Sequence, residues 1–215
     1  MRTIEVKVYQ FDELSDSAKE KARNWYRQGT IGDNFYSESV IEDLLQIAPL
    51  LGIDIALHLV QLGKGKSRQE PSIWWSGFST QGDGACFEGT WRASGVQPGK
   101  LKEFAPRDEE LHRVATEIEK VAAADPTMTT SLVHRDRYYH KYSVDIDSKT
   151  ESEEMPEADF LANHETAKEA LRDLMQWLYD SLEREYDTTQ ADEQVDESIR
   201  CNEYEFDEDG DRFTL

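Results

Sequence analysis

The chain has 215 residues and carries 45 acidic against 24 basic side chains, a formal charge of -21. So negative a composition excludes a protein that grips DNA, RNA or anionic lipid with its general surface, because phosphate binding needs a basic stripe. Five Trp, nine Tyr and eight Phe also exclude a solvating, disordered acidic chain, since they supply bulky core material.

Thr3 to Gln10 alternates Ile4, Val6 and Val8 with Glu5, Lys7 and Tyr9, the period of a half-buried strand. Ser15 is an N-cap candidate, and Leu14, Ala18, Ala22 and Trp25 then share one helix face until Gly29. A second helix follows Asp33-Asn34, with Val40, Leu44 and Ile47 in its stripe and Pro49 limiting it. Ile53 to Leu62 reads as one strand, and Gly63 to Ser67 as a mobile basic loop. Ile73 to Thr80 and Ala85 to Arg92 flank Gln81-Gly82-Asp83-Gly84 as a hairpin, Asp-Gly being a tight-turn signal. A helix of about fifteen residues starts at Asp108 and stops at Asp125-Pro126. Two strands are expected over Thr130–Arg135 and Arg137–Ile146, then a polar loop over Ser148–Glu157. Asn163 reads as the cap of the longest helix, striped by Ala167, Leu171, Leu174, Leu178 and Leu182. A shorter helix over Gln190–Cys201 buries Val195 and Ile199, and Tyr204 to Phe213 reads as a closing hairpin. Interspersed elements with hairpin-linked neighbours predict an α+β fold: a mainly antiparallel sheet packed against four to five helices.

The charge is uneven. Residues 1–100 hold 13 acidic and 11 basic side chains, whereas residues 101–215 hold 32 and 13. The expectation is one α+β domain over 1–215, divisible into a near-neutral half (1–100) and a strongly acidic half (101–215). The densest stretch, Glu183 to Asp211, sets 13 carboxylates against Arg184 and Arg200 alone.

Phe11-Asp12-Glu13-Leu14-Ser15, Asn24-Trp25-Tyr26 and above all the run from Ser76 to Gly89 (Ser-Gly-Phe-Ser-Thr-Gln-Gly-Asp-Gly-Ala-Cys-Phe-Glu-Gly) resemble a family of uncharacterised phage and prophage proteins. Asn202 to Phe206, followed by Asp209-Gly210, is similar to that family's ending. The resemblance implies phage origin and action in a bacterial cytoplasm. It supplies no established reaction and no catalytic residue.

Chemical motifs are weak. The glycine-rich hairpin is followed by strand-like sequence rather than a helix N-terminus, so it does not make a phosphate loop. Asp83-Gly84 is expected to form the turn, with Gly77 and Gly89 admitting bulky neighbours such as Trp74, Trp75 and Trp91. Cys86 has no local activating partner and reads as a small buried hydrophobe. His134 and His140, on one continuous strand, would stand ~20 Å apart and could not share a metal without a sharp turn. Asp207 to Asp211 lacks the calcium-loop spacing. With Cys86 and Cys201 as the sole thiols, neither a disulfide framework nor a four-thiolate zinc site is available, which fits a reducing cytoplasm. No run approaches the ~20 apolar residues of a membrane span, and no signal peptide is expected.

No catalytic group, metal or cofactor is therefore assigned. The expected function is a non-enzymatic inhibitor of a host nucleic-acid-handling or defence protein, such as a CRISPR effector or restriction nuclease. It would occupy a basic groove by mimicking nucleic acid. The candidate contacts are Glu183, Glu185, Asp187, Asp192, Glu193, Asp196, Glu197, Asp207, Glu208 and Asp209. The alternative is a small-molecule or nucleotide site, or an unrecognised enzyme, on the hairpin with Trp74, Trp75, Asp83 and Cys86.

Overall fold

A computed structural model describes residues 6–30 and 34–214. In chain order they form β1 (Tyr9–Gln10), a 3-10 turn (Phe11–Glu13), α1 (Asp16–Gly29), α2 (Tyr36–Leu50), β2 (Leu51–Ile55), β3 (Leu57–Gly63), β4 (Lys66–Pro71) and β5 (Ile73–Trp75). They continue as β6 (Ala85–Phe87), β7 (Gly89–Val96), α3 (Lys100–Phe104), α4 (Glu109–Ala124), β8 (Thr129–His134), β9 (Val144–Lys149), α5 (Glu157–Gln190), α6 (Asp192–Cys201) and β10 (Glu205–Phe206). All strand pairings are antiparallel, and helices and sheets together make the α+β fold expected. The chain divides into two compact units: Met1–Glu38 with Arg184–Leu215, and Ser39–Glu183. No helix among the described residues is long and apolar enough to cross a membrane.

The first unit joins the two chain ends. Gln10 pairs with Glu205 and Tyr9 with Phe206 across β1 and β10. Ser15 caps α1 by accepting from the Ala18 N–H, as its position before an amphipathic run predicts. Phe11, Leu14, Ala18 and Ala22 then bury against Val195 and Ile199 of α6 and Phe206 of β10. Trp25 meets Tyr204 edge-on at 5.2 Å and Phe206 at 5.7 Å. The strand expected over Thr3–Gln10 is reduced to Tyr9–Gln10 within the described residues, and its first three residues lie outside them.

The second unit is built on a four-stranded sheet in the order β2-β7-β8-β9. Trp91 on β7 is fully buried, and its indole N–H donates to the Leu51 carbonyl at 2.9 Å. Asp108 caps α4 through the Leu111 N–H, while its second carboxylate oxygen accepts from the Trp177 indole on α5 at 2.7 Å. One side chain thus starts one helix and tethers another. Ala167, Leu171, Leu174, Leu178 and Leu182 are all buried, as the α5 stripe predicts.

Several boundaries differ from the sequence reading. The run Ile53–Leu62 is two strands in different sheets, because the Ala56 N–H leaves for the Glu88 carbonyl and its own carbonyl accepts from Ser72. The basic loop is the tip of the β3–β4 hairpin, whose second strand begins at Lys66. The central hairpin pairs only Ile73–Trp75 with Ala85–Phe87, leaving 76–84 as a broad loop. The second expected strand, Arg137–Ile146, starts at Val144, so His134 and His140 do not share a continuous strand. α5 begins at Glu157 rather than after Asn163: Pro156 sets the turn, its carbonyl accepting from Asp159 and Phe160.

Candidate functional site

Most of the ten predicted carboxylates lie on α6, the end of α5 and the closing loop of the first unit. Asp192 and Asp196 face α1. Arg27 donates to Asp192 at 2.5 Å, and Arg23 clamps both oxygens of Asp196 at 2.6 and 2.9 Å. The Arg27 hydrogen bond, helped by the nearby charge of Arg23, holds the Asp192 carboxyl below its ordinary range. Asp207 organises the closing loop, one oxygen accepting from the Asp209 and Asp211 N–H groups. These three carboxylates are engaged within the fold. Glu185, Asp187, Glu193, Glu197, Glu208 and Asp209 carry no salt bridge among the described residues, and all but the half-buried Glu185 are exposed. Glu183 is half-buried and closes the second unit.

The hairpin side chains of the second unit separate into two places. Trp74 and Trp75 are both half-buried. The Trp74 ring packs against His58 at 5.3 Å, His134 at 5.7 Å and Tyr139 at 6.1 Å. Cys86 is fully buried; burial, with the charge of Glu88, pushes its thiol up to about 12. That makes it the small buried hydrophobe expected, with no thiolate for nucleophilic chemistry at neutral pH.

Asp83 does not form a two-residue turn with Gly84. Its carboxylate reaches back to accept from the Ser79 and Thr80 N–H groups at 2.9 and 2.7 Å. Burial works to raise this carboxyl, but those hydrogen bonds outweigh it and hold it below its ordinary range. Gly84 serves close approach instead, since a Cβ there would lie 2.7 Å from the His140 ring. Gly89 likewise admits the Asp54 backbone rather than a tryptophan.

Beside this loop lies a cleft of about 130 Å³, lined by Asp83, His140, Lys141, Gln176 and Tyr179 over a floor that includes Met175. Burial and the neighbouring Lys141 lower the His140 pKa, so its ring is neutral at pH 7. Its Nδ1 accepts from the Tyr142 N–H, which places its proton on Nε2. Burial, with the charges of Glu183, Asp83 and Asp180, raises the Tyr179 phenol, which donates to the Gly77 carbonyl. The cleft therefore offers one ammonium, one neutral imidazole and one amide to a small polar ligand. Among the described residues, no group of three or more His, Cys, Asp or Glu side chains is placed to hold a metal.

The model of a domain of unknown function, DUF8835, matches residues 36–192. The chain belongs to the DUF8835 family. The match takes in the whole second unit with its cleft and the central hairpin, and it stops before Glu193. The motifs at Phe11–Ser15 and Asn202–Gly210 lie outside it. Comparison with curated proteins and with solved structures found no match.

Proposed function

We propose that this DUF8835 chain is a phage-encoded, non-enzymatic binding protein of the bacterial cytoplasm that inhibits a host nucleic-acid-handling or defence protein by filling its basic groove. The first unit supports this reading. It carries 19 acidic and 9 basic residues in 70, a charge density about twice that of the second unit, which has 26 and 15 in 145. The observation that carries the proposal is the division of labour on α6. Asp192 and Asp196 lock the helix to α1, while Glu193 and Glu197 make no ion pair with those arginines and stay exposed. Four residues of helix place that pair about 6 Å apart along the axis, on one exposed side of α6. Partner contact falls to Glu185, Asp187, Glu193, Glu197, Glu208 and Asp209.

The test is the variant E193K/E197K/E208K/D209K, used with the wild type to capture proteins from a bacterial lysate at low salt. The reading requires a basic nucleic-acid-binding protein held by the wild type, released by salt and missed by the variant. Equal capture by a variant with unchanged helical circular dichroism defeats it.

A second reading rests on a separate observation: the family match contains the cleft at Asp83, His140 and Lys141 but excludes Glu193 onward. On this reading the cleft binds a small metabolite or nucleotide. Thermal shift across a panel of such compounds tests it, with K141A and Q176A as the controls that must lose the effect. Asp83→Ala is unsuitable, because Asp83 holds its own loop together.

A further inference from the structure

Unlike the two-stranded sheets β1–β10 and β5–β6, the β3–β4 hairpin contains no fully buried residue. Among the described residues it forms a two-stranded sheet of its own. Leu57, Leu59 and Leu62 are exposed by 58%, 64% and 57%. A two-stranded hairpin is marginal in water unless a further strand or a packed face supports it.

Its two faces are distinct. His58, opposite Glu70, and Val60, opposite Arg68, share one face, and His58 packs on Trp74 of the unit's body. Leu57, opposite Pro71, and Leu59, opposite Gln69, share the other, which turns outward. The two edges differ as well. β4 carries Lys66, Arg68 and Pro71, the residues that block strand addition. β3 reads Leu-His-Leu-Val-Gln-Leu-Gly, with no Lys, Arg, Asp, Glu or Pro to protect it.

We propose that β3 is a docking edge for β3 of a second copy of this chain, paired antiparallel. Charge argues for that occupant and that direction. The tip carries Lys64 and Lys66, with Arg68 one pair further in and no acidic side chain over 61–67, whereas the whole chain is at -21. Antiparallel pairing sets the cationic tip of each copy beside the base of the other, where Asp54 and Glu70 lie; parallel pairing would bring the two cationic tips together. With Leu57 opposite Leu59 of the second copy, and the reverse, four leucines form one continuous row. A two-fold contact of this kind is isologous and closes at a dimer.

Light scattering after size exclusion tests the proposal, over a concentration series at moderate salt. The wild type is expected to rise from 24.8 kDa toward twice that mass. L57K/L59K is expected to stay at the single-chain mass, a twofold loss, with unchanged far-UV circular dichroism because both side chains are already exposed. A wild type that remains a single chain at its highest soluble concentration overturns the proposal, whatever other strand or surface the hairpin then binds. So does an L57K/L59K variant that is folded and dimerises like the wild type.

Discussion

Arg23 on α1 clamps both carboxylate oxygens of Asp196 on α6, at 2.6 and 2.9 Å, joining residues 173 positions apart. Both side chains are mostly buried, exposed by only 18% and 14%. Two parallel N–H···O bonds between charged groups fix geometry as well as energy. Removing one partner leaves the other charge half-desolvated, so Asp196→Ala should lower stability by about 2 kcal/mol. Urea unfolding at constant slope measures it; a shift within error of zero would make the clamp ornamental. For the same reason Asp196 and Asp192 belong in no charge-reversal test of binding, because their loss disturbs the scaffold.

Acid should act on the first unit in two opposed stages. As pH falls from 7, the unpaired carboxylates begin to take up protons and the self-repulsion of a chain at -21 relaxes, which favours the fold. Asp12 and Asp192 behave differently. Hydrogen bonds from Arg200 and Arg27 hold them below their ordinary value of 3.8 when folded. Their contribution is present above that value and is lost as pH falls through their lower folded values. The melting temperature should therefore hold or rise toward mildly acidic pH and drop below about pH 4. D12N/D192N, melted across the same range, should start lower at pH 7 and lose less below pH 4. An equal acid loss in that variant removes these two pairs as the cause.

Local chemistry explains what was legible in the sequence. Ser15 and Asp108 are caps whose action depends on the next three residues, and the α5 stripe depends on a spacing of three and four. Those signals need no tertiary information. The split at Ala56 was invisible because hydrogen-bond partners far along the chain, above all Glu88, decide it. Leu57 and Leu59 alternate with His58 and Val60 like the apolar positions of a half-buried strand, yet their face points outward because His58 and Trp74 claim the inner one. Asn163 looked like a cap because the acidic first turn, Glu157 and Asp159, resembles a loop, although such charges favour a helix start. Likewise the carboxylates of Asp192 and Asp196 looked as free as their neighbours. Only the folded chain shows arginines from its other end consuming them.

The two thiols should differ sharply toward Ellman's reagent. Cys201 is exposed, though its hydrogen bond to Glu197, with that carboxylate's charge, raises its pKa and slows it. Cys86 is inaccessible and protonated. One thiol should react in the native protein and the second only after denaturant is added. Glu197→Gln should quicken the first reaction without touching the second. Two fast native thiols would show that the central hairpin opens readily.

Gly89 and Gly77 belong to the same glycine-rich run but should respond oppositely to a methyl group. A Cβ on Gly89 would lie 2.2 Å from the Asp54 carbonyl oxygen and 3.2 Å from the Ile55 Cα. Both are backbone atoms of β2, and Gly89 is also paired with Leu132 on its other side. Relief requires a strand to move within a four-stranded sheet, so Gly89→Ala should cost on the order of 3 kcal/mol. At Gly77 the nearest atom to a Cβ is an Asp83 carboxylate oxygen at 3.5 Å, an ordinary contact with a side chain. Gly77→Ala should change stability by less than about 0.5 kcal/mol. Denaturant midpoints of the two variants check the contrast. Equal losses would mean that the loop at 76–84 is as tightly packed as the sheet, and a small loss at Gly89 would mean that β2 and β7 stand further apart than their register requires.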